Sequence, residues 1–361
     1  MLIPIPSFLR LPIYAFELSD KSYKYLRLKE VRSGVVVDDF GEGEIATGVI
    51  ERGEIKKKEV LAALLKELFA KKNIKFVAVS LPEEKGFLEN VQLTGIKAET
   101  EIRQALELQL EEHIPLPPSE VVFDYTLARK EKNHFDTVIS AFPKMLVDSY
   151  SEVFYSAGAL PVLVESELVA AVRSLIPKNF AATTIVMDWG KTRISFSIIE
   201  NGVLRFASTA PIGGETLDEA ISKTLNVDLK KARELKLKSG FLPASPSQGG
   251  QNQDSLPVFQ AIVPVITAIR EEVGKYIKYW QTHSESKEAP AKLFLSGGDA
   301  NLLGLAAYLQ QELNIPVQLA DPWANVSFPK NYLPDLERQD AIRFVASIGL
   351  SLAALDKEKN I

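Results

Sequence analysis

The sequence predicts an α/β fold in which a three-stranded unit occurs twice and a small α+β subdomain is inserted into the first half. In the first copy an apolar run carrying Glu17 leads into the turn "SDKS", the alternating run "YKYLRLKEV" and the β-branched run "VVVDDF". In the second copy an apolar run ending at Asp188 leads through "WGKT" into "RISFSII", then Asn201-Gly202 and "VLRFAST". Alternation marks half-buried strands, and Asn-Gly is a strong hairpin signal. The acid at the same place in both copies indicates a duplication.

Amphipathic helices and further strands fill the space between the two copies. A helix predicted over 56–73 precedes the strand "KFVAVSLP", which gives a strand-helix-strand order. From 87 to 165 the order is strand, helix, strand, strand, helix, strand, with helices over 97–114 and 144–157. The run "PLPP" ends the first of these helices because proline cannot continue it. This interval is therefore predicted to be the inserted α+β subdomain.

The second half is predicted to contain more helix. Helices over 167–175, 215–238 and 258–285 precede the strand "KLFLS", the turn "GGD" and the helix "NLLGLAAYLQQEL", and "DAIRFVASIGLSLAALD" forms a last helix. The polar stretch "LPASPSQGGQNQDSLP" is predicted to be a mobile loop. The predicted domains are a first half (1–86), the insert (87–165), a linker helix with the start of the second half (166–214), a helical subdomain (215–290), the rest of the second half (291–338) and a C-terminal helix returning to the first half (339–361).

Composition excludes several classes of function. The 361 residues carry a net charge of -5 with an isoelectric point near 5.5, which argues against a broad nucleic-acid-binding surface. Without cysteine there is no disulfide, thiolate nucleophile or cysteine-bound metal. The histidines His113, His134 and His283 stand among charged or polar neighbours and form no catalytic or metal-binding motif. Because no membrane-length apolar run and no signal peptide is found, the chain is predicted to be cytoplasmic.

The tripeptide Gly190-Lys191-Thr192 raises the question of a P-loop. That motif, G-x-x-x-x-G-K-[ST], needs a glycine where this sequence has Ile185. It also needs a helix after the threonine, and no helical pattern follows. The sequence predicts instead a tight turn between two strands.

Two hairpin turns can together hold the phosphates of a nucleotide through backbone amides and hydroxyl groups. The acids at the strand ends, Glu17 and Asp188, suit hydrated magnesium, which takes few direct protein ligands. Taken alone, each turn is more typical of a solvated hairpin tip. The candidate residues are Ser19, Asp20, Lys21 and Ser22 in the first turn and Gly190, Lys191, Thr192 and Arg193 in the second.

Two glycine pairs extend this pattern. Gly297-Gly298 lies between a predicted strand and a predicted helix, and Gly213-Gly214 opens another helix. Glycine lets the backbone approach a flat ligand closely, and a helix N-terminus supplies oriented amides. The alternative for the first pair is an ordinary strand-to-helix turn with Asp299 or Asn301 as the N-cap. Four turns in this order are more specific than any one of them.

This order of turns resembles the actin-like ATPase superfamily, whose ribonuclease H-like core is duplicated. The position of the insert is similar to the branch that holds the division protein FtsA and the type IV pilus assembly protein PilM. The resemblance to the PilM family is carried by "IRQALELQLEEHIPLPPSEVVFDY", "SGGDANLLGLAAYLQQELNIPVQLADPWANV", "GEIATGVIERGEI" and "ASIGLSLAAL". It covers nearly the whole chain from residue 13. The fold it implies is a duplicated actin-like ATPase fold with an inserted α+β subdomain.

The resemblance further implies that ATP with Mg²⁺ binds between the two halves. Glu17 and Asp188 would hold the magnesium through water. Four residues depart from the family pattern: Glu17 replaces aspartate, Ser19 stands where glycine is commoner, Trp189 adjoins a phosphate turn, and Arg233 replaces glutamate. Slow or absent ATP hydrolysis is therefore expected, and no catalytic base is identified. The implied nucleotide contacts are Glu17, Ser19, Asp20, Lys21, Ser22 and Lys24, then Asp188, Gly190, Lys191, Thr192 and Arg193, then Gly213, Gly214 and Glu215, then Lys236 near the base, and finally Gly297, Gly298 and Asp299 at the adenosine.

The resemblance also implies a partner. PilM-like proteins hold the N-terminal cytoplasmic tail of PilN, a single-span membrane protein, in a groove between the first half and the insert. The resemblance implies that this tail is of the Asn-Leu-Leu-Pro type and that the chain can form a ring-shaped homo-oligomer. It also implies recruitment to the inner face of the cytoplasmic membrane, with no binding of nucleic acid and no direct insertion into the membrane.

Two alternatives share the duplicated core. A sugar or acetate kinase needs a catalytic acid and a sugar pocket, and the sequence has a motif for neither. An FtsA-like division protein carries an amphipathic C-terminal helix as its anchor, and "AALDKEKNI" does not supply one. The sequence therefore favours a binding module over both.

Overall fold

The computed structural model describes residues 11–178, 180–242, 255–284 and 287–358. Their contacts divide the chain into two units. The first unit comprises the described parts of 1–180, 201–207 and 321–361, and the second comprises those of 181–200 and 208–320. Within these ranges, no helix is both long enough and apolar enough to cross a membrane.

The elements follow the predicted order closely. At the start of the helix that begins at Glu167, the Ser166 hydroxyl accepts hydrogen bonds from Leu168 N and Val169 N. The strands are β1 (Ile13–Leu18), β2 (Ser22–Val31), β3 (Gly34–Glu44), β4 (Ile50–Glu51), β5 (Glu54–Ile55), β6 (Phe76–Leu81), β7 (Phe87–Thr94), β8 (Val121–Lys130), β9 (His134–Pro143), β10 (Leu160–Ser166), β11 (Thr184–Trp189), β12 (Ile194–Glu200), β13 (Val203–Ala210), β14 (Lys292–Ser296) and β15 (Val317–Leu319). The helices are α1 (Lys58–Lys72), α2 (Ile102–His113), α3 (Lys144–Ser156), α4 (Glu167–Leu175), α5 (Gly214–Leu225), α6 (Leu229–Ser239), α7 (Ser255–His283), α8 (Leu305–Leu313), α9 (Arg338–Ala341) and α10 (Val345–Glu358).

The two main sheets have the same strand order, which confirms the duplication. One runs β3-β2-β1-β6-β10 and the other runs β13-β12-β11-β14-β15. In each sheet the central strand pairs antiparallel with the hairpin strand that follows it and parallel with the strand on its other side. The carboxyl end of the central strand therefore leads into a hairpin turn in both halves. The duplicated fold predicted from the sequence is the observed one.

The inserted subdomain is a three-stranded sheet of order β7-β9-β8 with α2 packed on one face. It has its own core, in which Val91 and Phe135 of the sheet pack with Leu106 and Leu110 of the helix. The predicted insert over 87–165 extends further than this. β10 pairs with β6 in the first main sheet, and α3 buries Tyr150 in the same core as β1.

The last helix packs on the first main sheet. Gly349 of α10 crosses α4 so closely that an added Cβ would lie 1.7 Å from Ala170 O. Leu350 and Ala354 share a core with Ala15. The C-terminal helix thus belongs to the first unit.

Two helical predictions in the second half differ from the structure. The helix predicted over 215–238 is two helices, because Asn226 adopts a left-handed conformation (φ 52°) that ends α5 and Asp228 caps α6. The helix predicted from 258 begins at Ser255. The remainder of the predicted mobile loop, 243–254, lies outside the described residues.

Candidate functional site

The turn that follows β11 begins at the carboxyl end of the second sheet's central strand. Asp188 is the last residue but one of β11 and pairs with both neighbouring strands. The Gly190 amide donates to Arg193 O over 2.9 Å, which closes a tight hairpin. The Trp189 side chain is fully buried. Its bulk lies in the core, so it does not crowd the turn.

This turn is bonded directly to the start of α5. Gly214 N donates to Gly190 O over 3.0 Å, and Glu215 N donates to Lys191 O over 2.9 Å. A Cβ added at Gly213 would lie 2.2 Å from Lys191 O, so this close approach requires glycine. The Lys191 ammonium lies 3.6 Å from the Glu215 carboxylate. The second predicted phosphate turn and the first glycine pair are therefore adjacent.

The second glycine pair packs against the same turn. Gly297 has φ +89°, and a Cβ there would lie 2.3 Å from Trp189 O. A Cβ at Gly214 would lie 1.8 Å from the Asp299 carboxylate. At Gly298, by contrast, no heavy atom lies within 4 Å of the Cβ position. Gly214 and Gly297 are thus required by the chain's own packing, while Gly298 leaves room for a ligand.

A buried lysine holds these segments together. Lys236 is 2% exposed, and its Nζ lies 3.1 Å from Gly214 O, 2.6 Å from Asp299 Oδ1 and 2.8 Å from Asp218 Oδ1. The ammonium group donates hydrogen bonds to the Gly214 and Asp299 oxygens and forms an ion pair with the Asp218 carboxylate. The sequence predicts Lys236 near the base of a nucleotide. In the structure it positions the Asp299 turn and the start of α5.

Asp218 is the member of this cluster that the sequence analysis missed. It follows Gly214 by one helical turn in α5 and is buried. Burial raises the pKa of the Asp218 carboxyl above its ordinary value, against the lowering effect of the hydrogen bond from Lys236. The sequence feature that could have revealed Asp218 is an acidic residue one helical turn after Gly214, because residues four apart lie on the same face of a helix.

The first predicted phosphate turn lies at the end of β1 in the first unit. Ser19 N donates to Ser22 O over 2.8 Å, and the two hydroxyl groups lie 2.9 Å apart. Glu17 stands opposite Lys24 in the register of β1 and β2, and Lys24 Nζ lies 2.6 Å from Glu17 Oε1. The negative charge of Glu17 is therefore compensated within the hairpin.

Asp20 has a local structural role in this turn. Its two carboxylate oxygens accept hydrogen bonds from Arg52 N (2.9 Å) and Gly53 N (3.0 Å), which ties the β4–β5 hairpin to the turn. Among the residues that the structure describes, no group of three or more His, Asp or Glu side chains is placed to hold a metal ion. The two predicted magnesium residues, Glu17 and Asp188, belong to different units.

The glycine pair 297–298 offers a matched test of this packing. We expect Gly297→Ala to lower the free energy of unfolding by about 2 kcal/mol or more, because alanine is strained at this φ and meets a backbone oxygen. Gly298→Ala should change it by less than about 0.5 kcal/mol, since its Cβ would enter open space. Urea unfolding of the two variants checks this. Equal losses would show that the turn adapts and that close packing does not require glycine at 297.

A cavity of about 330 Å³ lies within the first unit beside the insert. One wall is the face of the insert's sheet opposite α2, including Leu88 and Val138, and another is α4, including Val169 and Val172. The tip of the β12–β13 hairpin, including Leu204, closes a third side. The sequence predicted a groove beside the insert without naming its residues.

Asn325, in the "ADPWANV" segment, fixes the end of α4 at this cavity. Its Nδ2 donates to Arg173 O (2.8 Å) and Ile176 O (2.6 Å), and its Oδ1 accepts from Lys178 N (3.3 Å). Carbonyl groups at a helix C-terminus otherwise lack partners. The side chain therefore satisfies the helix end and sets one wall of the cavity.

Solved structures share the fold. A chain of the PilM-PilN type IV pilus biogenesis complex has a TM-score of 0.77 at 20% identity, covering 96% of this chain and 99% of that chain. MreB5 of Spiroplasma citri bound to ADP has a TM-score of 0.56 at 13% identity, covering 97% and 98%. At these identities the likeness establishes the fold.

Curated relatives match over part of their length. The cell division protein FtsA of Enterococcus hirae is 28% identical over 198 residues, which are 50% of this chain and 43% of that protein. FtsA of Neisseria meningitidis serogroup B is 25% identical over 189 residues, covering 49% and 44%. The chain thus spans less than half the length of these relatives.

The family model described as type IV pilus assembly protein PilM matches residues 16–355. That span contains the second main sheet, the insert, the first main sheet apart from the first three residues of β1, and every predicted nucleotide contact from Glu17 to Asp299. The chain belongs to this family, the type IV pilus assembly protein PilM family.

Proposed function

We propose that this chain is a nucleotide-binding component of a type IV pilus assembly platform at the inner face of the cytoplasmic membrane. It binds ATP with Mg²⁺, and it binds the N-terminal cytoplasmic tail of a PilN-like membrane protein. The observation that carries the nucleotide part is the meeting of the 190–193 turn, the start of α5 and the 297–299 turn around Lys236. Membership of the PilM family supports the assignment to pilus assembly.

Each part of the second-unit cluster has a role in this proposal. The 190–193 turn contacts phosphate, and the half-exposed Lys191 exchanges its Glu215 partner for a phosphate oxygen. Asp188 orients water molecules of the magnesium ion. Gly298 leaves open the side on which the adenosine packs. In the first unit, the hydroxyl groups of Ser19 and Ser22 are further phosphate donors.

The nucleotide proposal predicts unequal effects of two substitutions in one turn. We expect Asp188→Ala to weaken Mg-ATP binding by about tenfold or more, as the loss of a group that orients metal ligands does. Lys191→Ala should weaken it by less than about fivefold, because an exposed charge contributes at most about 1 kcal/mol. Calorimetric titration of nucleotide-free protein measures both. Removing Mg²⁺ should abolish the difference between Asp188→Ala and the parent.

Three outcomes would count against this assignment. If both variants bind as the parent does, the second hairpin is an ordinary hairpin. If the parent turns over ATP near the ~10 per second of dedicated enzymes, the kinase alternative returns, since we expect slow turnover or none. A parent that binds no adenine nucleotide removes the ATP part altogether.

The cavity beside the insert is the proposed site of the membrane protein's tail. Its volume falls at the lower end of the ~300–1,000 Å³ range of ligand pockets. The apolar part of its lining, which includes Leu88, Val138 and Val169, suits leucine side chains of an extended segment, whose main chain can bond to an edge strand of the insert's sheet. A synthetic Asn-Leu-Leu-Pro peptide is expected to bind with a Kd in the ~µM range.

A further inference from the structure

A single β-hairpin joins the phosphate turn to the tail cavity. β12 begins at Ile194, directly after the turn, and pairs with β11 along its length. Six of its seven side chains are buried. At about 3.4 Å per residue it extends roughly 24 Å from the turn to the hairpin tip. Close packing transmits strain, so a displacement at Ile194 is passed along the buried part of this strand.

The tip of this hairpin is held by the first unit. Asn201 (φ 52°) and Gly202 (φ 77°) form the tight turn, and both adopt the left-handed conformation typical of type I′ hairpins. Residues 201–207 group with the first unit, whereas β12 groups with the second. The tip lines the cavity, and Arg205 O accepts a hydrogen bond of 2.8 Å from Asn90 Nδ2 of the insert.

We propose that nucleotide binding at the 190–193 turn and tail binding in the cavity are coupled through the β12–β13 hairpin. This inference rests on the proposed function, because it assigns a ligand to each end. The turn is set by the bonds from Gly214 N and Glu215 N and by the Lys191–Glu215 pair. A phosphate that binds the Lys191 ammonium in place of the Glu215 carboxylate changes the interactions of the turn that directly precedes β12. The displaced strand then shifts its tip against the cavity wall.

Coupling of this kind is reciprocal by thermodynamic necessity. We expect saturating Mg-ATP to change the Kd of the Asn-Leu-Leu-Pro peptide by fivefold or more, within the usual range for coupled sites. Saturating peptide should change the Kd of Mg-ATP by the same factor. Fluorescence anisotropy of labelled peptide and calorimetry of ATP give the two values. If both ligands bind and neither affects the other, the inference is overturned while the proposed function stands.

A pair of asparagine variants tests the route. Asn90→Ala removes the insert's bond to the hairpin tip, and the exposed Asn133 in the β8–β9 turn is the matched control on the same sheet. The coupling factor is the ratio of one ligand's Kd without and with the other ligand. We expect Asn90→Ala to reduce this factor to half of the parent's value or less, while each ligand's own Kd changes by less than about twofold. Asn133→Ala should keep the parent's factor.

Two results separate the route from the coupling itself. A coupling factor that is unchanged in Asn90→Ala and also in a Leu204→Ala variant of the tip would exclude the hairpin as the route. A parent that binds ATP but leaves the peptide free would overturn the tail part of the proposed function, and this inference with it.

Discussion

Replacing Lys236 with methionine is expected to lower the free energy of unfolding by about 3 kcal/mol, the lower part of the range for breaking a buried ion pair. The side chain of Lys236 is 3% exposed, and it faces the carboxylates of both Asp218 and Asp299. Without the ammonium, two acids stay close together in a poorly hydrated place. Chemical denaturation at neutral pH measures the loss.

The exposed Lys238 on the same helix is the matched control. Lys238→Met makes the same chemical change where solvent already screens the charge, so we expect an effect of less than about 0.5 kcal/mol. A similar loss in both variants would show that the ion pairs of Lys236 contribute little. Mg-ATP binding should weaken in Lys236→Met alone, because Lys236 positions the turn that carries Gly298 and Asp299.

The loss in Lys236→Met should depend on pH in a defined direction. In the parent, burial already raises the pKa of Asp218 above 3.8. Removing the cation raises it further, so the folded variant binds protons more tightly than the unfolded chain does. An acid of this kind destabilises the fold increasingly as the pH rises above its unfolded value. The difference between variant and parent should therefore shrink as the pH is lowered toward 4.

The parts of the fold that could be predicted from the sequence are those specified by residues close together in the chain. Asn201-Gly202 and the alternating runs around it are hairpin signals that need no distant partner, so both hairpin units were predicted at the right places. Helix caps are also local. Asn226 and Asp228 could have revealed the break between α5 and α6, which helical periodicity alone concealed.

Non-local pairing explains what the sequence did not predict. The apolar run of β10 is the same whether the strand extends the insert or the main sheet, and its pairing with β6 decides between them. The site shows the same limit. The glycine pairs are visible in sequence, but the contact of Lys236 with both Asp218 and Asp299 depends on how α5, α6 and the 297–299 turn pack.

Excising the insert is expected to abolish tail binding and to leave Mg-ATP binding unchanged. Phe87 and Ala141 are partners in the register of β7 and β9, so their Cα atoms are neighbours across two strands. A short Gly-Ser linker can therefore replace 88–140. This cut keeps β10, which is a strand of the first main sheet, and α3, which shares a core with that sheet, and it removes the separate core of the insert.

A pair of threonine variants tests the same cavity without removing the insert. Thr126 lines the cavity, while Thr94 is an exposed residue of the same sheet outside its lining. Thr126→Asp puts a hydrated carboxylate at the cavity wall and should weaken binding of the Asn-Leu-Leu-Pro peptide by about tenfold or more, since a leucine side chain of the peptide would have to pack beside a charge. Thr94→Asp should bind as the parent does.

Fluorescence titration of labelled peptide against the parent, the excised chain and the two threonine variants separates the outcomes. Peptide that binds the excised chain as tightly as the parent would show that the tail site lies elsewhere. Loss of Mg-ATP binding on excision, at an unchanged melting temperature, would show that the insert contributes to the nucleotide site. If the excised chain and Thr126→Asp lose peptide binding while Thr94→Asp keeps it, the tail is assigned to the cavity between α4 and the insert's sheet.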